Sequence, residues 1–455
     1  MKSSICSLVL ICIFSSCQFQ EKQTFDILIT HAAIVDVKSG KIIPEQLIGI
    51  SDDTIRLVAD INQEANYTGK TIIDAKGKYV LPGLWDNHVH FRGGDSLISE
   101  NRDMLPLFLK YGVTAVRDAG GDITPSVLQW QKEIAEGKLA GPSIFTSGPK
   151  LDGDQPAWPG SIMVTDSADV KAALDSLEVL GVDYVKMYDG NLTKEMFYSI
   201  IKAAEERGLK TTGHMPLSAN ILEAAELGLD GSEHLYYVLK ACSPKEDSLT
   251  QLNMGYGMMS EILQTYDTDL AKQVFNQLAK ENVYITPTLY IGKVLANILE
   301  TDHQNDSLLS LIGKGIQHTY QRRIEGAKRA KNSGSTMRQE MEKKSTEIIV
   351  PMVEAGIQLL AGSDCGPYNS YVYPGAALHG ELRELVAAGL SPQQALQASI
   401  LNGPAFFGLE DYYGTVDEGK VADLIILEMN PLEDIEFSDA IWMVIHKGKT
   451  YPTHK

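Results

Sequence analysis

Histidine is scarce in this chain, ten in 455 residues, so the places where it falls are informative. Two of the ten form His88-Val89-His90 within LPGLWDNHVH. Side chains alternate along an extended strand, so residues two apart share a face and both imidazoles can reach one ion. Neutral imidazole and carboxylate are ligands that Zn²⁺ favours, and a catalytic site keeps one position open for water. Alone, an H-x-H pair is a weak sign. Four further residues strengthen it: Lys186, His214, His234 and Asp364 each end a run that reads as a strand.

Those runs come in a regular rhythm. Short β-rich stretches alternate with helical ones: LPGLWDNHVH, GVTAVRDAG, PSIFTSG, VDYVKMY, LKTTGHM, DGSEHLY, VYITPTLY and IQLLAGSDCG. Eight β-then-α units predict an α/β fold, a parallel (β/α)8 TIM-type barrel, because parallel strands need helical crossovers. In such a barrel the C-terminal strand ends meet at one mouth, which brings all six residues together. The helical stretch from about Leu295 to Glu347 is longer than one crossover needs. Its charge-rich part, QRRIEGAKRAKNSGSTMRQEMEKK, reads as a solvated helix pair. Alternating runs from Phe25 to about Val80, and again in GKVADLIILE and AIWMVIHKGK, predict a small β domain assembled from both ends of the chain. The expected organisation is 1–17 signal, 18–24 tether, 25–80 plus 412–455 composite β domain, and 81–411 barrel.

This set resembles the binuclear branch of the amidohydrolase superfamily, and in particular its prolidase-like and acyl-amino-acid-hydrolysing members. The likeness runs from the opening strands to NGPAFFGLEDYYGTVDEGKVADLIILEMNP. It implies two divalent metal ions, expected as Zn²⁺, with His88, His90 and Asp364 on one and His214 and His234 on the other. Lys186, carboxylated by CO₂, would bridge them, since a bare ammonium would be repelled by two dications. The chemistry implied is hydrolysis of an amide-type C–N bond by a metal-activated hydroxide. Asp364 is the expected general base and then acid. No G-x-S-x-G motif points to a serine nucleophile.

Substrate residues are less sharply marked. Arg92 completes H-x-H-x-R, a pattern resembling dihydroorotase and its cyclic-amide relatives, where the Arg grips a carboxylate through paired charge-assisted bonds. Arg117, in VRDAGG, reads as structural. Tyr236 and Tyr237 follow His234 closely enough to line the pocket, and Tyr237 is the better candidate for substrate binding. Lys150 lies in the TSGPKLDG loop near the mouth. The expected substrate is a small molecule with a free carboxylate, a dipeptide or an N-acyl amino acid. Alternatives on the same hardware are a cyclic-amide hydrolase or a one-metal deaminase, though deaminases generally dispense with the bridging lysine. A non-catalytic, metal-stabilised binding lipoprotein would predict a broken ligand set, and none is broken.

The N-terminus reads as an address. Lys2, an apolar run from Ile5 to Phe14 and then Ser15-Ser16-Cys17 describe an export signal, with an apolar stretch too short to span a bilayer. The arrangement resembles a bacterial lipoprotein signal with Cys17 as the lipidation site, although Phe14 stands where such signals usually carry Leu. The protein is thus expected to be exported and held on a membrane by its lipid, on the periplasmic or outer-surface side. Cys6 and Cys12 would leave with the signal. Cys242 and Cys365 remain, as two buried thiols or as a pair. The formal net charge of −19 excludes a nucleic-acid partner, which would need clustered Lys and Arg. Homo-oligomerisation is left open.

Overall fold

The computed structural model describes residues 22–303 and 305–452, so the expected export signal and Cys17 lie outside the described residues. An eight-stranded sheet is built from both ends of the chain. Gln23–Asp36 pairs with Lys41–Ser51, Tyr67–Asp74 and Tyr79–Pro82, and Thr54–Asp60 lies beyond Lys41–Ser51. From the other end, Leu424–Leu427 runs antiparallel to Tyr79–Pro82 and carries Ile441–His446 and Lys449–Pro452. The alternating apolar positions of these strands close over a core of their own that includes Ile29, Ile48, Val80, Leu424 and Ile445.

Tyr79–Pro82 leads directly into the first barrel strand, Leu84–Val89. Only Gly83 separates them, and it tolerates no side chain: an added Cβ would stand 2.1 Å from Thr114 Oγ1. Its N–H donates to Asp423 O at 2.8 Å, so one residue ties the composite sheet to the barrel.

Parallel pairing then continues through Val113–Asp118, Ser143–Thr146, Val185–Met187, Thr211–Gly213, Gly231–Glu233 and Tyr284–Thr286. Between the third and fourth strands the link is Asp183 N donating to Thr146 O, and between the fifth and sixth Asp230 N donating to Thr211 O. The first two strands are buried along their whole length, as expected for strands covered on both faces. The eighth unit departs from the sequence expectation of a regular strand. Residues 357–365 close the ring through two isolated parallel bridges, Ile285↔Leu359 and Val89↔Cys365. Gly366 and the left-handed Asp364 break the regular ladder there.

The long stretch before that unit forms the helices Leu289–Ala296, Lys314–Thr319, Gln321–Asn332, Met337–Glu347 and Ile349–Glu354. Met337–Glu347 lies on Leu289–Ala296, where Gln339 Nε2 donates to Ala296 O at 3.0 Å. Cys242 and Cys365 are separate buried free thiols, which settles their pairing. Among the described residues no helix is long and apolar enough to cross a membrane.

The Gly83 junction is testable. Gly83→Ala forces Thr114 or the backbone to move, and overpacking of this kind costs about 1–3 kcal/mol. Urea unfolding of the variant should show that loss, and an unchanged midpoint would mean the junction yields freely.

Candidate metal centre

All six expected residues reach the mouth. His88, His90 and Asp364 are buried and present donor atoms within 4.8 Å of one another. Asp364 Oδ1 lies 3.4 Å from His88 Nε2 and 3.2 Å from His90 Nε2, while its Oδ2 faces His234 Nε2 at 4.0 Å. The ring of His234 is 5.3 Å from that of His88 and 4.9 Å from that of His214. Asp364 therefore stands between the His88–His90 pair and His234, with His214 beyond.

Local backbone explains how these side chains come to point inward. His88 and His90 share a strand face with Asp86, whose carboxylate accepts from Ser363 N at 2.8 Å and Ser363 Oγ at 2.5 Å. That pairing sets the register of the eighth unit against the first strand. Asp364 and His234 adopt left-handed backbone, φ 56° and 61°, which costs a non-glycine residue about 1–3 kcal/mol. Each is held there by its own N–H, Asp364 donating to His88 O at 2.7 Å and His234 to Thr286 O at 2.8 Å. Gly366 makes the approach possible, since a Cβ there would meet His90 O at 2.2 Å.

The outer nitrogens of the rings are occupied, leaving the inner ones for an ion. His88 Nδ1 lies 2.6 Å from Glu233 Oε2, His90 Nδ1 3.3 Å from Gly120 O, and His234 Nδ1 2.6 Å from Thr288 Oγ1. A hydrogen bond on one ring nitrogen fixes the tautomer that presents the other, the usual support for a metal-ligating histidine. His88 Nε2 is fully buried and has no hydrogen-bond partner. Burial holds His88 and His234 down to about 3, so both rings are neutral and available as ligands. A buried imidazole with a lone pair aimed at a carboxylate fits a divalent cation, and the donor set fits Zn²⁺.

Glu233 was not expected from the sequence, and it organises the centre. It accepts from Thr212 Oγ1 at 2.8 Å and from Arg117 Nη2 at 2.9 and 3.1 Å, in addition to His88. Burial would raise this carboxyl, but Arg117, Lys186 and His88 outweigh it and hold it well below its usual value. Arg117 is structural as expected, its Nε donating to Asn87 O at 2.6 Å. Lys186 Nζ is buried 3.5 Å from Glu233 Oε1 and makes no hydrogen bond. Burial lowers this amine to about 8 against the pull of Glu233. In DGSEHLY an acid directly precedes the strand-end histidine, but nothing in that spacing distinguishes it from any other acid. Asn369 was also missed; its Nδ2 donates to Asp364 Oδ1 at 2.8 Å and to Asp364 O at 2.5 Å.

Beside the centre lies a cavity of about 340 Å³ that includes His214, His234 and Asp364 in its wall. Tyr188, Tyr236 and Tyr256 line it, and Tyr237 does not. The Tyr237 hydroxyl instead donates to Asp189 at 3.1 Å, and Asp189 Oδ1 stands 3.3 Å from His214 Nδ1. Arg92 is also set back: its Nε donates to Pro367 O at 3.0 Å and its guanidinium lies 4.4 Å over Trp158. Lys150 is buried near the same indole, 5.2 Å from its centroid. The helix pair read as solvated is corrected here. Arg323, Met337, Arg338, Met341, Glu342 and Ser345 all face the cavity. On Met337–Glu347 these positions recur at one-turn intervals, the pattern of a single helix face.

Residues 79–451 match the Amidohydrolase family, so the chain belongs to the amidohydrolase family and is an enzyme acting on carbon–nitrogen bonds. The ochratoxinase of Aspergillus niger is 22% identical over 463 residues, covering 93% of this chain and 85% of that protein. Among solved structures, a bottromycin amidohydrolase superposes with a TM-score of 0.73 at 21% identity, over 94% of this chain and 87% of its own. A Xaa-Pro dipeptidase with bound methionine in its active site superposes with a TM-score of 0.67 at 19% identity, over 94% and 99%. Likeness at these identities establishes the shared barrel and composite sheet.

The Glu233 cluster yields a second expectation. Glu233→Gln keeps the shape but leaves Arg117 as a buried cation without its counter-charge. Breaking a buried pair in this way costs about 3–5 kcal/mol. Metal affinity should fall about 10–100-fold, as it does when support behind a ligand is removed. Thermal unfolding and competitive chelator titration check both, and wild-type values in each would contradict the assignment.

Proposed function

We propose that this metal-dependent amidohydrolase cleaves a dipeptide or an N-acyl amino acid, using two divalent ions held by His88, His90, His214, His234, Asp364 and a carboxylated Lys186. The observation that carries the reading is Asp364, whose Oδ1 faces His88 and His90 at 3.4 and 3.2 Å while its Oδ2 faces His234 at 4.0 Å. When bound, the metal would bring the pKa of water toward neutrality and polarise the scissile carbonyl. Asp364 would take the proton from the attacking water and return it to the leaving nitrogen, and Asn369 fixes the carboxylate for that transfer. Support for carboxylation at Lys186 comes from its buried Nζ, which makes no hydrogen bond. In that step the ammonium loses a proton, the free amine adds to CO₂ and a second proton leaves, replacing a cation at the centre with an anion.

A cavity of about 340 Å³ is near the low end for small-molecule sites. That suits a substrate of dipeptide size and not a long polypeptide. The bound methionine of the structurally similar Xaa-Pro dipeptidase supports an amino-acid-like ligand. The bridging lysine argues against the one-metal deaminase alternative. We further infer that the protein is exported and lipid-anchored through Cys17, a reading supported by Lys2, the apolar run Ile5 to Phe14 and Ser15-Ser16. Radiolabelled palmitate incorporation that survives Cys17→Ala would refute the anchor.

The hydrolytic reading is tested by offering zinc-loaded protein a panel of N-acyl amino acids, dipeptides, cyclic amides and aminopurines. Turnover should be confined to the first two groups. Asp364→Asn should fold and lose about 10²–10⁴-fold in kcat, the usual worth of a positioned proton-transfer group. Preferential release of ammonia from aminopurines would refute the reading in favour of deamination.

A further inference from the structure

The charged helices between the seventh and eighth strands carry a function of their own. Arg323, on Gln321–Asn332, is held at two points: its Nε donates to Tyr368 O at 3.4 Å and its Nη2 to Asn369 Oδ1 at 3.1 Å. Both acceptors belong to the loop that follows Asp364, and Asn369 is the residue that donates to Asp364. The same loop is clamped to the helices by Tyr368 N donating to Thr319 Oγ1 at 2.7 Å and Ser370 Oγ to Tyr320 O at 2.9 Å. Arg323 is thus oriented at the cavity wall before any ligand arrives, while its Nη1 has no hydrogen bond among the described residues. A preorganised guanidinium loses little freedom on binding a carboxylate.

The wall next to it is apolar. Leu289, Ile291 and Leu295 from one helix face Met337 and Met341 from the other. Arg338 and Glu342, one turn apart on the same helix, also line this wall. Arg92 is a weaker alternative, because it lies outside the cavity lining and its Nε is already committed to Pro367 O.

We propose that Arg323 binds the free carboxylate of the substrate, and that the Leu289–Ala296 and Met337–Glu347 helices receive an apolar side chain on the residue bearing that carboxylate. The proposal rests on the hydrolytic reading above and narrows it to substrates ending in an apolar amino acid. It also joins recognition to chemistry, since carboxylate, Arg323, Asn369 and Asp364 form one chain of contacts.

The test separates binding from turnover. Isothermal calorimetry on zinc-loaded protein compares isocaproate with its neutral counterpart isohexanol, neither of which can be hydrolysed. The acid should bind better to wild type, and Arg323→Ala should shrink that preference roughly 10–100-fold, the worth of a charge-assisted hydrogen bond. Arg323→Lys should recover only part of it, because an ammonium cannot reproduce the planar fork. If Arg323→Ala does not fold, Arg323→Gln removes the charge while keeping a donor toward Asn369, and the preference must still fall. An acid preference unchanged in these variants overturns the assignment and places the carboxylate elsewhere, for example on the metal. In parallel, wild type should cleave Gly-Leu faster than its C-terminal amide and faster than Gly-Asp. Equal rates on Gly-Leu and Gly-Asp overturn the apolar wall. Arg323-dependent acid binding without cleavage of any dipeptide or N-acyl amino acid upholds the recognition site and refutes the hydrolytic reading instead.

Discussion

The structure depends on one buried carboxylate. Glu233 is wholly shielded from solvent, yet it stays ionised because Arg117 pairs with it and Thr212 and His88 lie within hydrogen-bond distance. The isolated ion would be prohibitively costly at this depth, so the partners are a condition of its burial. Their contacts span the barrel: His88 comes from the first strand, Arg117 from the second and Thr212 from the fifth. Arg117 also reaches Thr286 on the seventh at 2.9 Å. Satisfying one charge therefore fixes the relative positions of most of the strands and, through His88 Nδ1, aims Nε2 at the place an ion would occupy.

The other half of the centre depends on close approach. The eighth unit lies so near the first strand that Gly362 and Gly366 admit no side chain against His88 and His90. Asp364 reaches the imidazoles by adopting left-handed backbone, stabilised by its bond to His88 O and by Asn369. Strained ligands held by several contacts are what a preorganised site needs, because little reorganisation is left for the moment of reaction. The helices before the eighth unit grip the loop carrying Asn369, so the wall of the cavity and the position of Asp364 belong to one mechanical unit.

The barrel, the sheet shared by the two chain ends and the six polar residues at the mouth were legible in the sequence. Strand periodicity and the scarcity of histidine are strong local signals, and a parallel barrel converts strand ends into neighbours without further information. Three things were not legible. Glu233 is an ordinary acid in sequence, and only the convergence of strands shows what it joins. Arg92 occupies a suggestive spacing, but the loop at Pro367 and the indole of Trp158 claim it, facts that arise from distant segments. The helices from Gln321 to Glu347 look uniformly charged because their apolar contribution is small, a few residues such as Met337 and Met341 among many Lys, Arg and Glu. Polarity marked them as surface, while their placement over the mouth makes one face a wall.

The central claim is that these strand ends form a binuclear metal centre with Asp364 between its halves. Diffraction from zinc-loaded crystals, with data collected on both sides of the zinc absorption edge, tests it most directly. The account predicts two anomalous peaks, one bonded to His88, His90 and Asp364 and one to His214 and His234, with density for a carboxylate on Lys186 reaching both. A single peak with a bare Lys186 amine, from crystals of protein shown to be fully active, would contradict it.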